Sequence, residues 1–225
     1  MLCTVAGALN AGGFFAVGIY TSHVTGHWSR VGDELALGHY GVAAGFAALV
    51  LVFLLGAMTS ALFIQADLGA RNRIRYTKPL VLELLLVVVF ALVGSRYDGP
   101  KHQLAPYLTA VLSFAMGLQN ALVTTASGAV VRTTHMTGVT TDLGIELVRL
   151  GFLVRDGKGA LVRVQSHRAL LHVLMLVSFG VGGAGGALAF LAWGYLGALP
   201  VILVLAVLVA IEVWLIVSEG RSSSA

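Results

Sequence analysis

Charge is what this 225-residue chain has least of. Only 11% of its residues are Asp, Glu, Lys or Arg, 58% are hydrophobic and the mean hydropathy is +0.92, whereas ordinary globular domains carry about 25% charged residues. A soluble domain so built would lack a solvated face, so the composition excludes one and points to a multi-pass membrane protein. Cysteine is almost missing too. The single Cys3 excludes an intrachain disulfide and any cysteine-based metal cluster. The start, Met1-Leu2-Cys3-Thr4, has no basic segment ahead of its apolar run, which argues against a cleaved signal peptide.

Against this background a polar segment occurs twice. Thr21-Ser22-His23-Val24-Thr25-Gly26 returns as Thr133-Thr134-His135-Met136-Thr137-Gly138. At an offset of 112, Thr21, His23, Thr25, Gly26, Gly32, Glu34 and Leu35 all recur. Upstream, Gly7, Asn10 and Ala11 match Gly117, Asn120 and Ala121 at an offset of 110, so the second copy carries a two-residue insertion. Agreement of this density marks a duplicated unit.

A spanning helix needs about 20 mostly apolar residues. Six segments qualify: 3–20, 40–64, 79–95, 106–128, 169–192 and 198–218. The expected fold is therefore an all-α polytopic membrane protein of six transmembrane helices. Residues 1–95 form a first three-helix repeat and 106–225 a second, joined in one integrated membrane domain. Three crossings per unit start the second unit on the opposite side, which makes the pair an inverted-topology, 3+3 repeat. The charges agree. The loops at 65–78 and 129–168 and the tail hold eleven Lys and Arg, and the remaining loops hold Arg30, Arg96 and Lys101. The positive-inside rule then puts both termini in the cytoplasm. The +4 net charge follows from topology and carries no nucleic-acid reading.

The duplicated residues are the candidate site. Asn10 and Asn120 sit within the first and fourth spans, where an unpaired amide costs several kcal/mol, so each must face another helix or a cavity. Helix–helix contact and a polar site are both open readings. Thr-Gly after His23 and His135 should break the helix, giving broken or re-entrant segments at 21–31 and 133–144 after helices 1 and 4. Freed backbone amides there could attract an anionic group, and the imidazoles could bind solute or carry a proton. A polar exit turn with a surface histidine is the plainer alternative. His23 and His27 share a helical face, yet Val139 replaces His27 in the second copy, so no metal site is assigned.

Asp142, Glu146 and Glu212 are candidates for proton coupling, since intramembrane carboxylates tend to be functional. Glu83, near Lys78, reads as an interfacial carboxylate that snorkels or pairs. Gly180, Gly182, Gly183, Gly185 and Gly186 crowd the fifth span, which suits close helix approach first and a hinge second.

Ala6-Gly7-Ala8-Leu9-Asn10-Ala11-Gly12-Gly13-Phe14 with Ser22-His23-Val24-Thr25-Gly26, and Met116-Gly117-Leu118-Gln119-Asn120-Ala121 with Thr134-His135-Met136-Thr137-Gly138, carry a resemblance. So does Thr141-Asp142-Leu143-Gly144-Ile145-Glu146-Leu147. Together they resemble the YoaK-like family of bacterial inner-membrane proteins, a domain-of-unknown-function family. The resemblance covers nearly the whole chain and implies a six- or seven-helix inner-membrane protein. It supplies no substrate, cofactor or catalytic residue. The chain departs from the pattern of many members of that family at His23 and His27, where they carry Asn.

The expected function is secondary transport, as permease or exporter, of a small polar or anionic solute. The expected contacts are Asn10, His23, Thr25, Gly26, Asn120, His135, Thr137 and Gly138, with no cofactor and the lipid bilayer as partner. A channel formed by a homodimer and a non-transporting assembly or sensory subunit are the alternatives. An enzyme is disfavoured: Ser127-Gly128 invites comparison with rhomboid proteases, but Thr125 stands where their Gly would be and the sixth span has no histidine to act as base.

Overall fold

The computed structural model describes residues 1–66, 74–96, 104–157 and 159–222. Of the charges used for topology, Arg71, Arg73, Lys101 and Lys158 lie outside the described residues. Eight α-helices are described: α1 (Leu2–Val17), α2 (Val24–Ala36), α3 (Tyr40–Ala66), α4 (Ile74–Gly94), α5 (Ala105–Ala126), α6 (Met136–Arg155), α7 (Gly159–Trp193) and α8 (Leu199–Ser222). A 3₁₀ turn, Gly194–Ala198, joins the last two.

The six apolar segments correspond to α1, α3, α4, α5, α7 and α8. Four helical stretches are long and apolar enough to cross a membrane: 40–66, 76–94, 105–126 and the 58-residue run 161–218, which covers most of α7 and α8. The chain is a multi-pass membrane protein, and its described elements are all helical. α1 is apolar but has only 16 residues, fewer than the 20 or so that a straight crossing needs. It ends before residue 20 because Gly18 turns left-handed (φ 77°) and donates its N–H to Phe14, a helix stop that side chains resist. The polar stretch 129–168 is far more ordered than its composition suggests, since it supplies α6 and the first turns of α7.

The long run 161–218 folds back at Gly194, whose φ of 54° would strain any other residue. Aromatic contacts hold the turn: Phe90 lies 6.2 Å from Phe190 and 5.4 Å from Tyr195, and the Tyr195 hydroxyl donates to the Ala16 carbonyl at 3.1 Å. Beyond it, α8 returns alongside α1, with Val201 and Val204 sharing a cleft with Val5 and Ala8.

In lipid, leucine gains little by exchanging an acyl chain for another leucine, so close packing decides which helices pair. α1 packs most extensively on α7, and α5 on α3. Both pairings use the same device. Gly7 faces the Phe179 carbonyl while Gly182 faces the Thr4 carbonyl. In the other pair, Gly117 faces the Phe53 carbonyl while Gly56 faces the Phe114 carbonyl. A methyl group on any of the four would collide with the opposing backbone.

The matching contacts extend to α3 and α7, where Gly56 and Gly182 stand at an offset of 126. Ala43 and Ala169, and Ile64 and Phe190, occupy the same register and are buried in both copies.

Contacts along the helices set their directions. Thr4 meets Gly182, Ala8 meets Gly186 and Gly12 meets Phe190, so α1 and α7 run the same way. Gln119 donates its amide to the Leu2 carbonyl at 3.3 Å, while Gly13 lies against Leu112, so α1 and α5 run opposite ways. Leu9, Leu112, Met116, Phe90 and Leu205 close the centre of the bundle with apolar side chains. Val139 of α6 packs with Cys3 at the beginning of α1, and α2 follows the end of α1. The two short helices therefore lie at opposite ends of the bundle.

Candidate functional site

After α1 and after α5 the chain leaves helical geometry and then restarts. Left-handed Gly18 makes the first break, and Gly128 with Ala129 (φ 62° and 66°) makes the second. Helix restarts at the duplicated histidines, which are the N-caps of α2 and α6. The His23 ring rests on Gly26 so closely that an added Cβ would overlap it, and the His135 ring lies on Gly138 in the same way. The His-x-x-Gly spacing thus has a local cause: the cap's ring occupies the room of the side chain three residues on.

The predicted contacts do not converge on one midplane point. His23, Thr25, His135 and Thr137 are exposed, at opposite ends of the molecule. Asn10 accepts hydrogen bonds from the Ser22 N–H at 3.1 Å and the Ser22 hydroxyl at 2.8 Å, fastening α1 to the turn that follows. Its counterpart Asn120 has a buried carbonyl oxygen without a hydrogen-bond partner among the described residues. Thr21 and Thr133, also equivalent, are buried with hydroxyls likewise unpartnered. Ser127 ends α5, and its hydroxyl accepts from the Val131 N–H at 2.9 Å.

The duplicated glutamates fare differently from the histidines. Glu34 and Glu146 are both buried, and each has a carboxylate oxygen 2.8 Å from a histidine Nδ1. The partners come from unrelated positions, His39 just after α2 and His172 on α7. In the first copy Arg30 also pairs with Glu34 and covers the Phe46 ring at 5.5 Å. His27 lies 5.7 Å from the same ring. Burial, and after it the neighbouring His23, hold the His27 imidazole below its ordinary value.

The second copy has Asp142 in place of Arg30 and Val139 in place of His27. There a cleft of about 430 Å³ opens, lined by Asp142, Glu146, Arg149, Arg168 and His172 together with Ala129, Val130, Ile145 and Leu171. Five ionisable side chains of both signs meet in it. A ligand with an anionic group would find two guanidiniums there.

Glu212 is not part of that cleft. It lines a second cavity of about 420 Å³ with Tyr76, Leu80, Leu122, Ser127, Leu208 and Leu2. The turn 127–131 stands between the two, with Ser127 and Val131 facing the Glu212 cavity and Ala129 and Val130 facing the other.

Glu83 corrects the interfacial reading. It is fully buried (0% exposed), and neither carboxylate oxygen has a hydrogen-bond partner among the described residues. Its position one turn inside the apolar segment signalled depth, but Lys78 five residues earlier suggested the surface. His172 and Arg168 stand on α7, 26 and 22 residues from Glu146, so no local spacing marks them, whereas Arg149 follows Glu146 by three residues and His39 follows Glu34 by five. Among the described residues no group of three or more His, Cys, Asp or Glu is arranged to hold a metal ion.

One protein-family model matches the chain, over residues 1–211, and is described as "Protein of unknown function (DUF1275)". No curated protein matches the chain. No solved structure matches it.

Proposed function

The chain belongs to the DUF1275 family, and we propose that it is a secondary transporter of a small polar or anionic solute. The observation that carries the reading is the pair of matching glycine crossings, α1 on α7 and α5 on α3, with α1 and α5 antiparallel. They support six crossings arranged as a 3+3 inverted repeat, residues 1–95 against 106–225, within one integrated domain. Such a repeat offers two related packings of the same parts, the basis of alternating access. The Lys and Arg bias supports cytoplasmic termini, and the resemblance noted above supports a bacterial inner membrane.

The two ends differ as the ends of a carrier caught in one state would. At the α2 end, Arg30 and Phe46 fill the space over Glu34. At the α6 end the equivalent space is the open charged cleft. Solute enters there, its anionic group drawn to Arg149 and Arg168. His23 and His135 serve as helix caps in this reading.

Purified protein in liposomes, loaded with candidate small anions, tests it by counterflow. Saturable exchange, lost in Arg168→Ala, is the expected result. Ohmic conductance without saturation would identify the dimeric channel instead. Silence in flux, with no solute that stabilises the protein, would favour an assembly or sensory subunit.

A further inference from the structure

Glu83 lies near the middle of the spanning part of α4, at 0% exposure, among Leu80, Val87 and Phe90 on the same buried face. A carboxyl group there costs several kcal/mol unless something compensates it, and a structural carboxylate would be compensated by a donor or a cation. Neither oxygen has such a partner among the described residues. The elements packed against α4 are α3, α5, α8 and the 3₁₀ turn. Their described ionisable side chains are Tyr40, Tyr107, Glu212 and Tyr195, and α4 itself adds Tyr76 and Lys78. Of the two carboxyl groups in that set, Glu83 is the fully buried one.

A cavity comes within one helical turn of it along α4. The cavity that Glu212, Tyr76 and Ser127 line is floored by Leu80 of α4 and Leu122 of α5. Glu83 and Gln119 stand one helical turn further in on the same two helices. Gln119 is fully buried, its amide donates to the Leu2 carbonyl, and its own oxygen has no partner among the described residues. Two oxygen-bearing side chains in an otherwise apolar setting are too few for a dehydrated metal cation, since calcium takes about 6–8 oxygen ligands and magnesium holds near-octahedral geometry. A proton needs only one carboxylate oxygen.

We infer that Glu83 is a proton-binding site, loaded and unloaded through the cavity that Glu212 and Tyr76 line. The carboxylate takes one proton to become the acid and releases it by the same path. Using that proton to drive a solute rests on the carrier reading; the binding itself does not.

Dicyclohexylcarbodiimide tests the binding without any transport assay, because it adds to protonated carboxylic acids in apolar surroundings. The full chain in liposomes is treated across a pH series, digested, and read by mass spectrometry at the Glu83 peptide. The expected result is an adduct on Glu83 that falls about tenfold per pH unit once the carboxylate predominates. Glu83→Gln should abolish it, and Leu80→Trp, which fills the cavity floor, should slow it. An adduct on Glu212 alone, none at any pH, or one that does not change with pH would overturn the inference. The wild-type pH series decides the matter even if a variant does not fold. A proton site with no counterflow would sink the carrier reading and leave this one standing.

Discussion

The carboxylate of Glu146 lies 2.8 Å from Nδ1 of His172, joining α6 to α7, with the two side chains 11% and 12% exposed. Glu34 makes the same contact at the same distance, but its partner His39 is 59% exposed. Burial, rather than geometry, should separate their worth. Removing His172 leaves a buried acceptor unpaired, so His172→Ala should cost about 1–3 kcal/mol. His39→Ala should cost about 0–1 kcal/mol, as exposed pairs do. Thermal unfolding of both variants in one detergent makes the comparison, and equal losses would refute it.

The four crossing glycines invite a paired test. Gly7→Ala and Gly117→Ala each push a methyl group into a carbonyl of the facing helix, and overpacking of this kind costs about 1–3 kcal/mol. Gly180 has open space around it, so Gly180→Ala should leave stability within about 0.5 kcal/mol. A Gly7→Ala protein that unfolds like wild type would mean that α1 and α7 do not approach this closely.

His27 gives a pH dependence whose sign follows from its surroundings. Its imidazole is held below the ordinary value in the fold, first by burial and then by His23. The folded state therefore favours the neutral ring. That contribution is complete above the unfolded value of about 6.5 and is lost as the pH falls from there through the folded value. His27→Phe, which keeps a ring against Phe46, should flatten this acidic limb of a stability-against-pH curve. An unchanged limb would assign it to other groups.

The cap of α2 can be examined by a double-mutant cycle. Gly26→Ala displaces the exposed His23 ring from its seat and, because that side chain can swing aside, should cost about 1 kcal/mol at most. In a His23→Ala background the methyl group meets nothing, and the cost should fall below about 0.5 kcal/mol. If Gly26→Ala costs the same in both backgrounds, the ring is not what demands glycine.

Much of the fold was legible because bilayer physics writes it in long runs. All six apolar segments correspond to helices, and the copies announced themselves through His23, Gly26 and Glu34 with their counterparts. What escaped was set by tertiary approach. His172 sits 26 residues from Glu146 on another helix, so no spacing rule joins them. The polarity of 129–168 read as loop, yet a helix lying against α7 needs only one apolar stripe, and Val139 is on it. The histidines looked like solute ligands because they recur; they recur with Gly26 and Gly138 because ring and glycine share one space. Glu83 was judged by its neighbour Lys78, when the side that α4 turns inward decided its environment.

The exchange of partners between the halves governs how the protein is made. α1 is the shortest of the apolar helices, yet its close neighbour, α7, is synthesised more than 140 residues later. Until Phe179 and Gly182 arrive, the glycine face of α1 has only lipid beside it. Assembly therefore waits on the far end of the chain, as contacts so distant in sequence require. A chain severed between α4 and α5 would yield two fragments, each missing its mate, that become stable only when produced together.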